Sequence, residues 1–415
     1  MKESIEGFAT ENIIGRKLVF QKAREAVLKK TKGFYEAPLK ILDLMEQAIG
    51  KGRASYLALE AQSFGELCVS DQSKNLRHLF FLMEKSKKIS GFESETKVDD
   101  PKRGAVLGAG TMGGGIAWLM ASNGMNPIMK DLNKDALELG FKQSSKNFSE
   151  SLKRKKINSA QFEKLQRSII GQTTFDGFRS VDLLIEAVVE NMEIKKKVFA
   201  ELEKEVPETC LITSNTSSLS VQEMSEALEK PERFAGLHFF NPVHRMPLVE
   251  IITHKGVSNE TVRALHRWVV KTKKTPVVVK DGPGFLVNRI LMPYLNEAGF
   301  LLQEGVSIKD LDNACVNFGM PMGPCRLLDE IGIDVADKVA KILNKGLGDR
   351  AKSSEQSGLM IEKNFLGKKT SSGFYQYDAL GKETTVNEEV AALLPQNKKM
   401  DETDIQMRVI LPMIN

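Results

Sequence analysis

The apolar residues change rhythm twice along the chain. Over the first hundred residues they recur three and four positions apart, as in Leu18, Val19, Ala23, Ala26 and Val27, then Ile41, Leu42, Met45 and Ile49. That spacing predicts helices, and residues 57–69 and 76–83 read the same way. From residue 104 short unbroken apolar runs take over, each followed by a polar or glycine-rich turn and a helical stretch. Runs at 104–107, 127–130, 183–187, 211–214, 234–239, 248–252 and 275–279 predict strands. Alternation of strand and helix predicts a mostly parallel sheet covered on both faces. After Pro283 the strand rhythm stops. Phe285, Ile290, Leu291, Leu295, Ala298 and Leu302 mark an apolar helix, and further helical segments continue to about Asp378, broken at Met320-Pro321-Met322-Gly323-Pro324.

The polar stretches complete this outline. Residues 85–103 are rich in Lys, Ser, Glu and Asp, which predicts an exposed linker. The lysine-rich stretch 133–168 is too long for one crossover helix, so an antiparallel helical pair projecting from the sheet is expected. Asn288-Arg289-Ile290-Leu291-Met292-Pro293-Tyr294-Leu295-Asn296 is echoed by Met407-Arg408-Val409-Ile410-Leu411-Pro412-Met413-Ile414-Asn415. The second copy reads as the start of a duplicated helical domain, against chance similarity over nine residues. The expected divisions are a helical linker region over 1–100, an α/β domain over 101–281, an all-helical C-terminal domain over 282–378, and a tail with a truncated second repeat over 379–415.

Composition narrows the class. The 415 residues are 41% hydrophobic and 27% charged, as in a soluble globular protein. A net charge of +5 is too mild to argue for nucleic acid, but it suits an anionic ligand. Cys68, Cys210, Cys315 and Cys325 are scattered, with no CxxC pair, so neither a disulfide framework nor a zinc site is expected. A reducing cytoplasm fits. No stretch is apolar enough to span a membrane, and the first residues lack a signal-peptide core.

The densest chemical signal is Gly104-Ala-Val-Leu-Gly108-Ala-Gly110-Thr111-Met112-Gly113. A strand, glycines at GxGxxG spacing, a helix, a second strand and Asp131 at its end form a dinucleotide-binding fingerprint. Gly108 permits the tight turn, Gly110 lets backbone approach a pyrophosphate, and Gly113 lets helix and strand pack closely. The helix N-terminus presents free N–H groups to phosphate. Asp131 accepts from both ribose hydroxyls and repels a 2′-phosphate, favouring NAD over NADP, although Lys130 and Lys134 flank it. FAD proteins share this fingerprint, so it specifies no reaction.

Three further stretches carry candidates at strand ends, where open α/β sheets bind ligands. After 183–187 come Glu190 and Lys195, which reach a cofactor or are a loop acid and a solvated lysine. After 211–214 lies Ser214-Asn-Thr-Ser217-Ser-Leu-Ser220, where hydroxyls hold a substrate oxygen or serve as helix caps, with Ser220 and Glu223 spelling a capping box. The third is His238-Phe-Phe-Asn241-Pro, followed by Glu250 in the next strand. If those strands pair, Glu250 faces His238. The dyad suits alcohol oxidation, the imidazole taking the hydroxyl proton while the carboxylate fixes its tautomer. His78, His244, His254 and His266 lack such a setting and read as structural or exposed.

His-Phe-Phe-Asn-Pro at 238–242, Ser-Asn-Thr-Ser-Ser at 214–218, Val-Glu-Asn at 189–191, Pro-Gly-Phe-Leu-Val-Asn-Arg at 283–289, Pro-Met-Gly-Pro at 321–324 and Ser-Gly-Phe-Tyr at 372–375 resemble L-3-hydroxyacyl-CoA dehydrogenase. The resemblance implies a Rossmann-like NAD-binding domain followed by a helical domain. It implies oxidation of L-3-hydroxyacyl-CoA to 3-ketoacyl-CoA in fatty-acid β-oxidation, with hydride passing to NAD+. It makes His238 the base and Glu250 its partner, with Ser217 and Asn288 near the reacting carbon and Asn241 in the same site. It assigns Asp131 to the adenosine ribose and Glu190 and Lys195 to the nicotinamide half. Lys153, Arg154, Lys155 and Lys156 fall where CoA phosphates bind, with the register left open. Ala58-Leu-Glu-Ala-Gln-Ser-Phe-Gly-Glu-Leu67 is similar to the linker of the multifunctional α subunit of the fatty-acid oxidation complex, with the preceding hydratase body unmatched. The resemblance therefore implies dehydrogenase but no enoyl-CoA hydratase activity, an acyl-CoA substrate, a thiolase subunit as possible partner and a homodimer. A related 3-hydroxy-acid dehydrogenase and an inactive NAD-binding structural or regulatory protein are the competing readings.

Overall fold

The computed structural model describes residues 12–93, 99–354, 356–395 and 398–414. Contacts divide the chain into two units, one of residues 1–85 with 316–321, the other of 86–315 with 322–415. In the first, the helical spacing yields α1 (Ile13–Thr31), α2 (Glu36–Ala48), α3 (Arg53–Val69) and α4 (Asp71–Ser86). Asn12 caps α1 by accepting from the Ile14 N–H. Ion pairs link the helices at the surface: Arg24 meets Asp43 and Glu46 at 2.7 and 2.5 Å, and Lys40 meets Glu66 at 2.7 Å. Their apolar stripes find little cover, and Phe64, Val69 and Phe81 are each about two-thirds exposed.

The second unit is built on an eight-stranded sheet. Its elements are β1 (Gly104–Leu107), α5 (Thr111–Ser122), β2 (Ile128–Lys130), α6 (Lys134–Lys153), α7 (Ser159–Arg167), β3 (Ile170–Gln172), β4 (Leu183–Glu186), α8 (Met192–Leu202), β5 (Leu211–Ser214), α9 (Val221–Ser225), β6 (Phe234–Phe239), β7 (Leu248–Thr253), α10 (Asn259–Lys271) and β8 (Thr275–Lys280). The strand order is β3-β2-β1-β4-β5-β6-β7-β8. Every neighbouring pair is parallel except β6 and β7. The chain winds outward from β1 in one direction and then in the other, so a crevice opens between the carboxyl ends of β1 and β4. Strands β1, β4, β5 and β6 are buried throughout, which is why they read as continuous apolar runs. The sequence pattern missed β3. Its Ile-Gly-Gln is a sheet edge and largely exposed, so no apolar run marks it.

The expected helical pair is α6 and α7, capped by Asn133 and Asn158, the latter in a full capping box with Gln161. The expected linker is exposed over most of its described residues, and it is also stitched along α10. His266 bonds the Ser86 carbonyl, Asn259 donates to that of Glu93, and Arg267 and Lys271 hold Asp100. A polar composition reveals solvated side chains, but not carbonyls paid out to a neighbouring helix.

Beyond the sheet lie α11 (Val287–Gln303), α12 (Ile308–Phe318), α13 (Pro324–Ile331), α14 (Ile333–Leu347) and α15 (Gln356–Glu362). The all-helical expectation needs correcting here, because β9 (Tyr375–Tyr377) and β10 (Glu383–Val386) pair as an antiparallel hairpin. Two buried carboxylates hold it. Asp329 accepts from the N–H groups of Phe374 and Tyr375, each at 2.9 Å, and from the Tyr377 hydroxyl at 3.0 Å. Asp312 accepts from the Cys325 N–H at 2.8 Å, the Arg326 guanidinium at 3.0 Å and the Tyr375 hydroxyl at 2.8 Å. A β-carbon on Gly373 would lie 1.9 Å from Asp329 Oδ1, and one on Gly323 would lie 2.2 Å from the Asp312 carboxyl. These contacts explain the glycines of Ser-Gly-Phe-Tyr and Pro-Met-Gly-Pro. After α16 (Glu388–Ala392), the repeat-like segment forms α17 (Glu402–Ile414), which packs on α11, its sequence counterpart. Arg408 fixes it through Glu297 at 2.9 Å and Glu304 at 2.7 Å.

Candidate active site

The fingerprint glycines sit at the head of the crevice. Gly108 has φ +99, and a β-carbon there would lie 2.5 Å from the Ala187 carbonyl oxygen just beyond β4. A β-carbon on Gly113 would fall 1.8 Å from the Gly108 carbonyl oxygen. Gly110 differs: no atom lies within 4 Å of where its β-carbon would be. It is the N-cap of α5 and supplies no side chain to bond the first N–H groups. Thr111 is exposed and Met112 half-buried on that first turn. Open space before uncapped helical N–H groups is what a pyrophosphate requires.

Asp131 closes the other side of the loop, accepting from the N–H groups of Ala109 at 2.6 Å and Leu132 at 2.7 Å. Of its two flanking lysines, Lys130 is turned inward, its ammonium 4.2 Å from the centre of the Phe175 ring. The ammonium is engaged there by the face of the ring.

At the ends of β4 and β5 the structure gathers a network that sequence spacing only partly foretold. Glu186 and Lys195 are fully buried and meet at 2.6 Å. Glu186 also accepts from the Ser214 hydroxyl at 2.6 Å and the Val188 N–H at 2.7 Å. Lys195 lies 3.5 Å from Glu190. Glu190 in turn accepts from the Thr216 hydroxyl at 2.6 Å and from the Ser217 N–H and hydroxyl at 3.0 and 3.3 Å. Lys195 is therefore no solvated lysine, and Glu190 shapes the serine loop. Glu186 was missed because an acid ending an apolar strand looks like the start of a polar loop. The adjacent register of Glu186 and Ser214 was the available signal. Ser220 caps α9 through the Glu223 N–H, while Glu223 bonds Lys196, so only half of the capping box forms.

The third cluster is the tightest. His238 and Glu250 are direct partners in the antiparallel pairing of β6 with β7. His238 Nδ1 lies 2.7 Å from Glu250 Oε2, with both residues buried. The other carboxylate oxygen accepts from the N–H groups of Leu286 and Val287, at 3.0 and 2.9 Å. Those are the first amides of α11, so the helical domain's leading helix caps the carboxylate that orients the histidine. Phe240 and Phe285 wall the imidazole at ring-centre distances of 4.5 and 6.0 Å. Asn288, one residue further, donates to the Ser217 carbonyl at 2.9 Å and joins the helix to the serine loop. Asn241 is exposed on the loop that leaves β6 through a cis bond to Pro242. Lys153, Lys155 and Lys156 are exposed at the far end of α6. Among the described residues no cluster of three or more His, Cys, Asp or Glu could hold a metal.

Residues 104–282 match the model of the 3-hydroxyacyl-CoA dehydrogenase NAD-binding domain, and 284–377 that of its C-terminal domain. The (S)-3-hydroxybutyryl-CoA dehydrogenase structure from Ralstonia eutropha superposes with a TM-score of 0.64 at 34% identity, over 67% of this chain and all of that one. The chain belongs to the 3-hydroxyacyl-CoA dehydrogenase family. The 3-hydroxybutyryl-CoA dehydrogenase of Escherichia coli gives the same TM-score and identity, over 67% of this chain and 60% of that one. A fatty acid oxidation complex subunit alpha from Idiomarina loihiensis is 41% identical over 405 residues, covering 97% of this chain and 57% of that protein. The chain thus spans little more than half the length of that relative. The cofactor of this dehydrogenase family is NAD, and the glycine loop and Asp131 fit it.

Proposed function

We propose that this chain oxidises L-3-hydroxyacyl-CoA to 3-ketoacyl-CoA, with His238 as general base. The carrying observation is the 2.7 Å contact between His238 and Glu250, beside the dinucleotide crevice. A carboxylate on Nδ1 fixes the ring proton there and leaves Nε2 as the acceptor for the substrate hydroxyl proton. Glu250, held by two amides of α11, stabilises the imidazolium that forms. Nicotinamide, when bound, accepts the hydride from the same carbon. Ser217 and Asn288, joined to each other, position the substrate oxygen, and Asn241 borders it. Gly108, Gly110, Thr111, Met112, Gly113 and Asp131 cradle the adenine half of NAD, with Glu190 and Lys195 ordering the wall of the nicotinamide half. Lys153, Lys155 and Lys156 offer point charges to the CoA phosphates.

The test is NADH formation from L-3-hydroxybutyryl-CoA and a long-chain homologue, on wild type and His238→Ala. Loss of a proton-transfer group costs roughly 10²–10⁴-fold in kcat. NADH binding without turnover at any chain length would sink the reading and leave a non-catalytic NAD protein. The Idiomarina loihiensis relative is named as a subunit of a fatty acid oxidation complex, and a thiolase, which consumes 3-ketoacyl-CoA, is the partner this chemistry calls for. A homodimer is supported by apolar residues left exposed on α11 and α17, Ile290, Leu411 and Ile414 among them. A cytoplasmic setting agrees with four unpaired cysteines. No helix among the described residues is long and apolar enough to cross a membrane.

A further inference from the structure

The loop between β6 and β7 separates the strands that carry His238 and Glu250, and it is bolted down from two sides. On the sheet side the buried ammonium of Lys274 donates to the carbonyl of Val243 and, at 2.6 Å, to that of Met246. On the other side stands Glu150, in the last turn of α6. Its Oε2 lies 2.9 Å from His244 Nε2, and its Oε1 accepts from Arg245 at 2.9 Å and from Arg154 at 2.5 Å. Partial burial works to raise the Glu150 carboxyl, but Arg245, Arg154 and His244 outweigh it and hold it below the usual range. The Trp118 ring stands edge-on to His244 at 6.1 Å, closing the junction from α5.

Isolated surface ion pairs usually contribute little. This one differs in kind: two guanidinium groups, Arg154 and Arg245, donate to one carboxylate, and His244, which accepts from Arg245 Nε at 3.2 Å, packs against it with its side chain only 13% exposed. Its placement matters too. Glu150 lies three residues before Lys153, at the end of the arm where CoA phosphates are expected. His244 and Arg245 lie three and four residues after Asn241, in the loop that borders the reacting carbon. One carboxylate therefore joins the two ends of the substrate site.

We propose that Glu150 is a positioning residue that ties the helical arm to the loop between the catalytic strands. Capture of the CoA nucleotide at the arm and placement of the acyl carbon at His238 then act together. This rests on the 3-hydroxyacyl-CoA reading above. The variant is Glu150→Gln, which keeps size and removes charge. The substrates are 3-hydroxybutyryl-CoA and its pantetheine thioester, which lacks the nucleotide. In wild type the ratio of their kcat/KM values measures what the arm contributes to reaction. In Glu150→Gln that ratio is expected to shrink about tenfold, mainly through a raised KM for the CoA thioester, with the dissociation constant for NADH unchanged. A ratio that stays constant while both substrates slow equally would overturn the proposal, because a purely structural role does that. So would no change at all.

Wild type silent on both thioesters would sink the functional reading, and the tie is then read without turnover. Amide hydrogen exchange in the free protein should rise together in 147–156 and 241–247 of Glu150→Gln. A rise confined to one segment, or none, would overturn the tie itself.

Discussion

At the scale of single residues, burial decides which charges act. Lys274 and Lys195 are both buried lysines, but Lys195 faces two carboxylates while Lys274 meets only backbone carbonyls. Burial therefore pushes the Lys274 ammonium down from 10.5 to about 8. Between those values the unfolded chain holds the proton more tightly than the folded one. Folding is thus penalised below about pH 8, and the penalty is relieved as pH rises towards the unfolded value. Comparing urea midpoints of wild type and Lys274→Met across about pH 7 to 10 should show a rise with pH in wild type that the variant lacks. An identical slope in both would assign the effect to another group. The His238 dyad belongs to this scale as well. Its residues were legible because a histidine and a glutamate at strand positions need only antiparallel pairing to meet. His244 was not legible, because its partner Glu150 is 94 residues away on another element.

At the scale of elements, the helical domain depends on contacts that leave no room for a side chain. The β9–β10 hairpin is hung from Asp329, whose carboxyl is pushed up to about 6 by burial despite three donors. Gly373→Ala would drive a methyl into that carboxylate, and overpacking of this kind costs about 1–3 kcal/mol. We expect a lower denaturation midpoint for Gly373→Ala and early loss of amide protection in 374–386. Unchanged stability would mean that Asp329 moves aside freely. The glycines of these motifs were visible in the sequence. Their reason was not, since neither buried aspartate stands out from ordinary helical acids until the fold brings it against the hairpin. The same holds for β3, too short and exposed to announce itself.

At the scale of the whole molecule, the question is what covers α11. The echo of 288–296 in 407–415 predicted a related helix, and α17 packs on α11 through Arg408, Glu297 and Glu304. That covers part of the face, while Ile290, Leu411 and Ile414 stay exposed. Light scattering at micromolar concentration is expected to give twice the chain mass of 46.2 kDa. A single-chain mass would mean that α17 alone suffices as cover.

The sequence by itself determined the sheet-and-helix plan, the glycine loop with its acid, and the pairing of His238 with Glu250. These rest on local period, on backbone freedom at particular glycines, and on residues one strand pairing apart. Only the tertiary structure decided the rest: the capping of Glu250 by the amides of α11, the burial of Lys195 against Glu186, the docking of the polar linker on α10, and the bond from Glu150 to the loop between β6 and β7. Each joins groups distant along the chain, and its energy comes from desolvation and geometry that exist only once the chain has folded.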